Sequence, residues 1–137
     1  MFLACIAQYL HDQNVAVFDP TGITGTIFLG MMPSTPDQCI GLFETPATLS
    51  DPNHGYDTIS VQVRTRGTRD IRSASTTALA AFTALQGLSH YQFPNDGPWL
   101  LKCTGYRPYS MGVDSNGRHE YVSNFQCEIR NESLHRR

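Results

Sequence analysis

Hydrophobic and polar residues follow two distinct spacings along the chain, and the helical spacing occurs twice. A first amphipathic helix is predicted at the N-terminus and ends near Asn14, a residue that tolerates the left-handed conformation. A second helix is predicted between Gly67 and Gly87, with Asp70 or Thr68 as its N-terminal cap. The apolar stripes of the two helices are Leu3, Ile6, Ala7 and Leu10, and Ile71, Ala74, Ala78, Leu79, Phe82 and Leu85.

The strand-like spacing is clearest at 58–66, where Ile59, Val61 and Val63 alternate with polar side chains. This alternation is typical of a strand with one buried face and one solvated face. Other apolar segments are bounded by turn-forming residues, and they predict further strands at 26–32, 39–44, 99–105 and 119–129.

Two helices that are separate from a largely antiparallel sheet define the α+β class. We therefore expect a mixed, largely antiparallel sheet with both helices packed on one face. The connections 46–56 and 106–113 lack a regular period and are predicted to be loops. Residues 1–130 are expected to form a single domain, and the polar residues 131–137 a flexible tail.

The composition suits a single domain of 137 residues with an ordinary core, because 40% of the residues are hydrophobic. Only 16% are charged, well below the usual quarter, which indicates that partners cover part of the surface. The net charge of −2 argues against a general nucleic-acid or membrane binder, which would be basic. No signal peptide or membrane span is expected, since no apolar run approaches about 20 residues.

The four cysteines Cys5, Cys39, Cys103 and Cys127 lack the short spacing that metal sites use. Two disulfides are possible in principle, but no feature marks a secreted chain. We therefore expect reduced, buried thiols. The sequence predicts no metal ion and no cofactor.

No catalytic motif is present, and the five histidines are scattered over different predicted elements. The densest polar group is the loop segment 51–57, in which His54 and Asp57 could support acid–base chemistry. The same mixture of Pro, Asn and Gly is also typical of a loop without a chemical role. We expect the chain not to be an enzyme, and we assign no catalytic residue.

Arginine dominates the positive charge, with nine arginines and a single lysine. Its planar guanidinium group pairs with carboxylates or phosphates and suits interfaces. Four arginines fall within 64–72, where they could face a partner or DNA or form a solvated surface. The residues predicted to contact a second subunit or a partner are these four arginines, residues of the 51–57 and 106–113 segments, and one later arginine: Arg64, Arg66, Arg69, Arg72, His54, Tyr56, Asp57, Tyr106, Arg107, Tyr109, Met111 and Arg118.

Several motifs, taken in order, resemble a family of phage minor capsid proteins related to the tail terminators of long-tailed phages. The N-terminal helix precedes Gly-Thr-Ile-Phe-Leu-Gly at 25–30, Pro-Ser-Thr-Pro-Asp at 33–37, Ile-Gly-Leu-Phe-Glu-Thr at 40–45 and Val-Gln-Val-Arg-Thr-Arg-Gly at 61–67. The second helix and the Asp-Ser-Asn-Gly turn before Arg118 complete the pattern. Each motif is weak alone, and their order over nearly the whole chain makes the resemblance specific.

This resemblance implies a virion protein that forms a six-membered ring on the finished tail tube and presents the docking surface for the head. It implies no catalytic residues. Its partners would be further copies of the chain, the tail tube protein and a head-completion or connector protein, with DNA passing through the ring lumen without sequence-specific binding. The ring would lie in the virion neck after assembly in the host cytoplasm.

Three alternatives to the tail terminator reading stay open at this point. Within the same class, the chain could be a head-completion (stopper) protein one layer higher in the neck. The arginines at 64–72 suggest a small nucleic-acid-binding module, and a small enzyme is the third alternative. Duplex binding would weaken steeply as the salt concentration rises, which distinguishes the nucleic-acid-binding module from an assembly protein.

Overall fold

Two helices and seven strands make up the computed structural model, which describes residues 1–137. Both predicted helices and the strands predicted at 39–44, 58–66, 99–105 and 119–129 are confirmed. In chain order, the elements are α1 (Phe2–Asp12), β1 (Ile27–Leu29), β2 (Cys39–Thr45), β3 (Tyr56–Arg66), α2 (Ile71–Leu85), β4 (Ser89–Gln92), β5 (Trp99–Gly105), β6 (Tyr109–Val113) and β7 (His119–Arg130).

The predicted caps explain where the two helices begin and end. After α1, Asn14 adopts the left-handed conformation with a φ of 61°. At the start of α2, the Asp70 carboxylate accepts a hydrogen bond from the Arg72 amide at 3.0 Å and acts as the N-cap. Gly87 follows α2 with a φ of 83°, a conformation that glycine adopts without strain.

All seven strands belong to one sheet with the order β1-β2-β3-β7-β5-β4, and β6 also pairs with β7. The β1–β2 pair is parallel and every other pair is antiparallel. The two longest strands, β3 and β7, are central and pair along their length, from Tyr56 opposite Arg130 to Arg66 opposite Glu120. On its other side, β7 pairs with β6 through its N-terminal part and with β5 through its C-terminal part.

The hydrophobic core lies between the helices and one face of the sheet. Val61 and Val63 of β3 belong to the same buried cluster as Leu10 of α1 and Leu85 of α2. Because alternate strand residues point to the same face, both helices pack on the face that Val61 and Val63 present. This arrangement confirms the predicted α+β class and leaves the opposite sheet face without a helix.

Three strands differ from the sequence-based expectation. The strand predicted at 26–32 is limited to β1, since Gly30 turns the chain with a φ of 74°. The strand β4 is not predicted, because its sequence Ser-His-Tyr-Gln has no apolar alternation. The loop prediction for 106–113 is wrong at Tyr109–Val113, which pair with β7 as the edge strand β6. All five residues of β6 are exposed, so the burial pattern that marks a strand in a sequence is missing.

All four cysteines are free thiols, of which Cys5 is half-buried and the other three are buried. Cys103 and Cys127 face each other on β5 and β7, with their sulfur atoms 3.5 Å apart. The hydrogen bond to Cys103 raises the pKa of the Cys127 thiol, and desolvation raises that of Cys39. Protonated thiols are poor nucleophiles. Neither helix has the length and apolar character of a membrane-crossing helix.

Candidate assembly surfaces

Two arginines predicted to contact a partner, Arg66 and Arg118, lie inside the subunit. Their exposed fractions are 5% and 8%. The Arg66 guanidinium group donates to the carbonyl oxygens of Asp37 at 3.0 Å and Pro36 at 2.8 Å, and also to that of Pro33. Arg66 is therefore not available for the predicted contact with a partner, because the 33–37 segment covers its side chain.

Arg118 holds the same 33–37 segment through different atoms. It donates to the Ser34 carbonyl oxygen at 2.6 Å and to the carboxylates of Asp114 at 2.8 Å and Asp37 at 3.2 Å. The Arg118 amide and guanidinium group together hold the pKa of the Asp114 carboxyl below its usual range. Arg66 and Arg118 are thus internal anchors that fix one loop to the end of the sheet.

The other three arginines of the 64–72 region point to different surroundings. The Arg64 guanidinium group lies 5.8 Å from the centroid of the Phe43 ring. Arg72 pairs with Asp70 at 2.8 Å, and its hydrogen bonds lower the pKa of Asp70 to about 2. Arg69 is exposed and makes no ion pair. These arginines do not form one continuous basic strip, so the main reason to expect a DNA-binding surface is lost.

In the 46–57 region, the Asp57 carboxylate is committed to the C-terminal tail. Its Oδ1 accepts from Arg136 at 2.7 Å and its Oδ2 from the Asn131 side chain at 2.7 Å. The Arg136 hydrogen bond is the main reason why the pKa of Asp57 lies well below its usual range. His54 is exposed, and its imidazole makes no hydrogen bond, so His54 and Asp57 do not form an acid–base pair.

The C-terminal tail, residues 131–137, contacts this loop. The Asn131 amide donates to the Gly55 carbonyl oxygen at 2.7 Å, and a side chain at Gly55 would meet Glu132 at 2.8 Å. The Tyr56 hydroxyl accepts from Arg130 at 3.2 Å. Residues 131–137 and the 50–57 loop therefore form one joined surface at this end of the sheet.

The segment that includes β6 exposes most of its large side chains. Tyr106, Tyr109 and Met111 are each about half exposed, at 51%, 51% and 49%. The rings of Tyr106 and Tyr109 stack with their centroids 6.1 Å apart, and Asn124 donates to the Tyr106 hydroxyl at 2.6 Å. Arg107 is exposed between them. Exposed aromatic, Met and Arg side chains held in fixed positions are typical of protein–protein contact surfaces.

The sheet face without helices carries a shallow cleft of about 300 Å³. The residues that line it include no carboxylate, imidazole or cationic side chain: Thr45, Ser60, Thr104, Gly105, Tyr106, Asn124, Phe125 and Gln126. The structure also contains no group of three or more His, Cys, Asp or Glu residues that could hold a metal ion.

The comparison with protein families gives one match, to the model described as "Bacteriophage tail terminator protein", over residues 9–131. The chain belongs to the bacteriophage tail terminator family. The match runs from the second half of α1 to the end of β7 and confirms the family resemblance found in the sequence motifs.

A solved structure has a similar fold. The chain is similar to one in the virion of a native gene transfer agent particle, with a TM-score of 0.66 and 14% sequence identity over 93% of each chain. At this level of identity the similarity shows that the two chains share a fold. A search of curated proteins gives no match.

Proposed function

We propose that this member of the tail terminator family is a structural subunit of the virion that forms a ring, most simply of six copies, on the end of the tail tube. The family match over residues 9–131 is the observation that carries the proposal. The similar fold of a chain in a gene transfer agent virion supports a place in a phage-like particle. The ring would lie in the neck of the virion, following assembly in the host cytoplasm.

The mechanism of such a ring is surface complementarity. One ring face matches the last ring of the tube protein, and the other face cannot accept another tube subunit, so the tube stops growing. The free face then receives a head-completion or connector protein, and DNA passes through the lumen without sequence-specific contacts. The protein acts by binding and not by catalysis, which agrees with an Asp57 carboxylate held by Arg136 and an isolated His54.

The direct test adds the purified protein to tail tubes and to filled heads made without it. We expect rings at one end of each tube and a large rise in the number of joined particles. Tubes that stay uncapped, with no gain in joining, would contradict the proposal. Rings found only on heads would support the head-completion alternative.

A further inference from the structure

The charged residues are divided unequally between the two halves of the chain. All ten Lys and Arg residues lie at or after Arg64, whereas six of the twelve carboxylates precede it. The first part of the chain builds α1, β1, β2 and most of β3, and the rest builds α2 and β4–β7. β1 and β6 lie on opposite sides of the central strands, so the segments around β1 contribute no cationic side chain, whereas Arg107 closely precedes β6.

On the side of the sheet opposite β1, β6 forms an exposed edge with large apolar side chains. We call Tyr109, Met111, Val113 and the preceding Arg107 the β6 edge. Val113 is 56% exposed, Arg107 has no ionic partner, and only one side of β6 is paired. Its five residues include no Lys, Pro or charged side chain, which edge strands often carry against pairing with another chain, although the register of β6 shifts between Ser110 and Gly112.

On the other side of the sheet, the segments that flank β1 expose a second apolar group. We call Val17, Ile23 and Met31, with the nearby Asp19, the β1 margin. These three apolar side chains are 52%, 84% and 55% exposed. Asp19 accepts hydrogen bonds from the amides and hydroxyls of Thr24 and Thr21, which keep its pKa well below the usual range. Its negative charge is not paired with a cation.

The strand register places the two surfaces at the same level of the sheet. One row of paired residues crosses five strands, and its members are Tyr109, Val122, Arg64, Gly41 and Phe28. At about 4.8 Å between neighbouring strands, the row spans about 19 Å from β6 to β1. The β6 edge and the β1 margin thus lie on opposite sides of the subunit, as contact between successive subunits of a ring requires.

We propose that the β6 edge of one copy docks on the β1 margin of the next copy, and that this contact joins the subunits of the ring. The proposal rests on the ring function proposed above and adds the surfaces that meet. The two surfaces are complementary, since both are apolar, one carries Arg107 and the other Asp19. A contact between two different surfaces of identical subunits is heterologous, and it closes into a ring when the rotation between subunits allows.

The test uses one exposed substitution on each surface, Val113→Asp on the β6 edge and Ile23→Asp on the β1 margin. Each variant alone is expected to associate at least ~10-fold more weakly than the wild type, because the new carboxylate would have to lose its water among the apolar side chains of the contact. A mixture of the two is expected to form a 1:1 dimer and nothing larger. In that dimer, the intact β6 edge of the Ile23→Asp chain meets the intact β1 margin of the Val113→Asp chain.

Three controls keep the outcome clear. Leu134→Asp changes an 80% exposed side chain in the tail, outside both surfaces, and should leave the ring intact. The circular dichroism spectrum of every variant should match that of the wild type, which shows that each variant folds. Arg107→Glu, which leaves the apolar groups in place, should weaken association more at low salt than at high salt, because salt screens exposed charges.

If the wild type forms rings and both Asp variants also form rings, the proposed ring function still stands, and the proposed interface is wrong. Self-association of the Ile23→Asp variant into stable dimers would also overturn it, since that result indicates a symmetric contact between two β6 edges. A wild type that stays monomeric in solution and on tubes would overturn the ring function itself, and the interface with it.

Discussion

Single arginine side chains determine the shape of one end of this molecule. The guanidinium group offers five donors in a planar fork, so one Arg66 side chain reaches several carbonyl oxygens of the 33–37 segment at once. Arg118 donates to the Ser34 carbonyl oxygen and to the Asp37 carboxylate of the same segment, and also to the nearby Asp114 carboxylate. An arginine surrounded by these acceptors joins two segments inside the subunit, although its position in the sequence resembles that of a surface residue.

Arg66→Ala should lower the free energy of unfolding by about 2–4 kcal/mol, because the substitution removes a charged donor from three carbonyl groups. Urea denaturation measures the effect. The control is Arg69→Ala, which truncates an exposed side chain without an ion pair and should stay within about 0.5 kcal/mol of the wild type. Equal stability of the two variants would show that Arg66 is not an anchor.

Asp57 should make the stability depend on pH through its contact with Arg136. Its pKa is lower in the folded protein than the usual 3.8, so the pair contributes stability above about pH 4. That contribution is lost as the pH falls through the folded-state value. Asp57→Asn keeps the shape, removes the charge, and should cost about 1–2 kcal/mol at pH 7.

The difference in unfolding free energy between the wild type and Asp57→Asn should shrink steadily from pH 5 to pH 2. Chemical denaturation at fixed pH values across this range gives the curve. Since Asp57 and Arg136 are mostly shielded from solvent, at 18% and 15% exposure, the effect should survive moderate salt. A difference that stays constant down to pH 2 would contradict the assigned role of this pair.

At the scale of an element, the start of α2 depends on its cap. Asp70 accepts from the Arg72 amide and also forms an exposed ion pair with the Arg72 side chain. Asp70→Ala should destabilise the protein by about 1 kcal/mol, the usual effect of losing an N-cap. Arg72→Ala removes only the exposed pair and should cost at most a few tenths of a kcal/mol. Thermal unfolding of the two variants separates the cap from the pair, and equal losses would argue against a cap role.

Elements that bury one face were predictable, and elements that bury nothing were not. The alternation of Val61 and Val63 identifies β3, and Asn14 and Gly87 identify the helix ends. In contrast, β6 exposes all its residues and β4 contains mainly polar ones, so neither leaves a periodic signal. Their pairing depends on β7 and β5, partners that a local pattern does not contain.

For a similar reason, the exposure of the predicted contact residues could be inferred only partly from the sequence. The exposed positions Tyr106, Arg107, Tyr109 and Met111 were chosen by residue type and lie on one surface. The burial of Arg66 and Arg118 depends on contacts with the distant 33–37 segment. Arg66 is 29 residues from Asp37 in the chain, and Arg118 is 84 residues from Ser34. All Lys and Arg residues lie at or after Arg64 in the sequence, but the surfaces that they occupy depend on the strand order.

At the scale of the whole molecule, two helices cover one face of the sheet. The other face and two opposite margins carry no helix. Such a subunit has more uncovered surface than its own core requires. In the ring proposed above, these surfaces would be available to neighbouring subunits, to the tube and to the head. The low fraction of charged residues, 16%, agrees with surfaces that are covered in the particle.

The most direct test of the ring is the solution mass of the wild-type protein at micromolar concentration, measured by light scattering, together with imaging of the protein on tail tubes. We expect a closed species of about six times the chain mass of 15.2 kDa, either free or on the tube end. A mass that stays at 15.2 kDa in solution, with single subunits and no ring on the tubes, would contradict it.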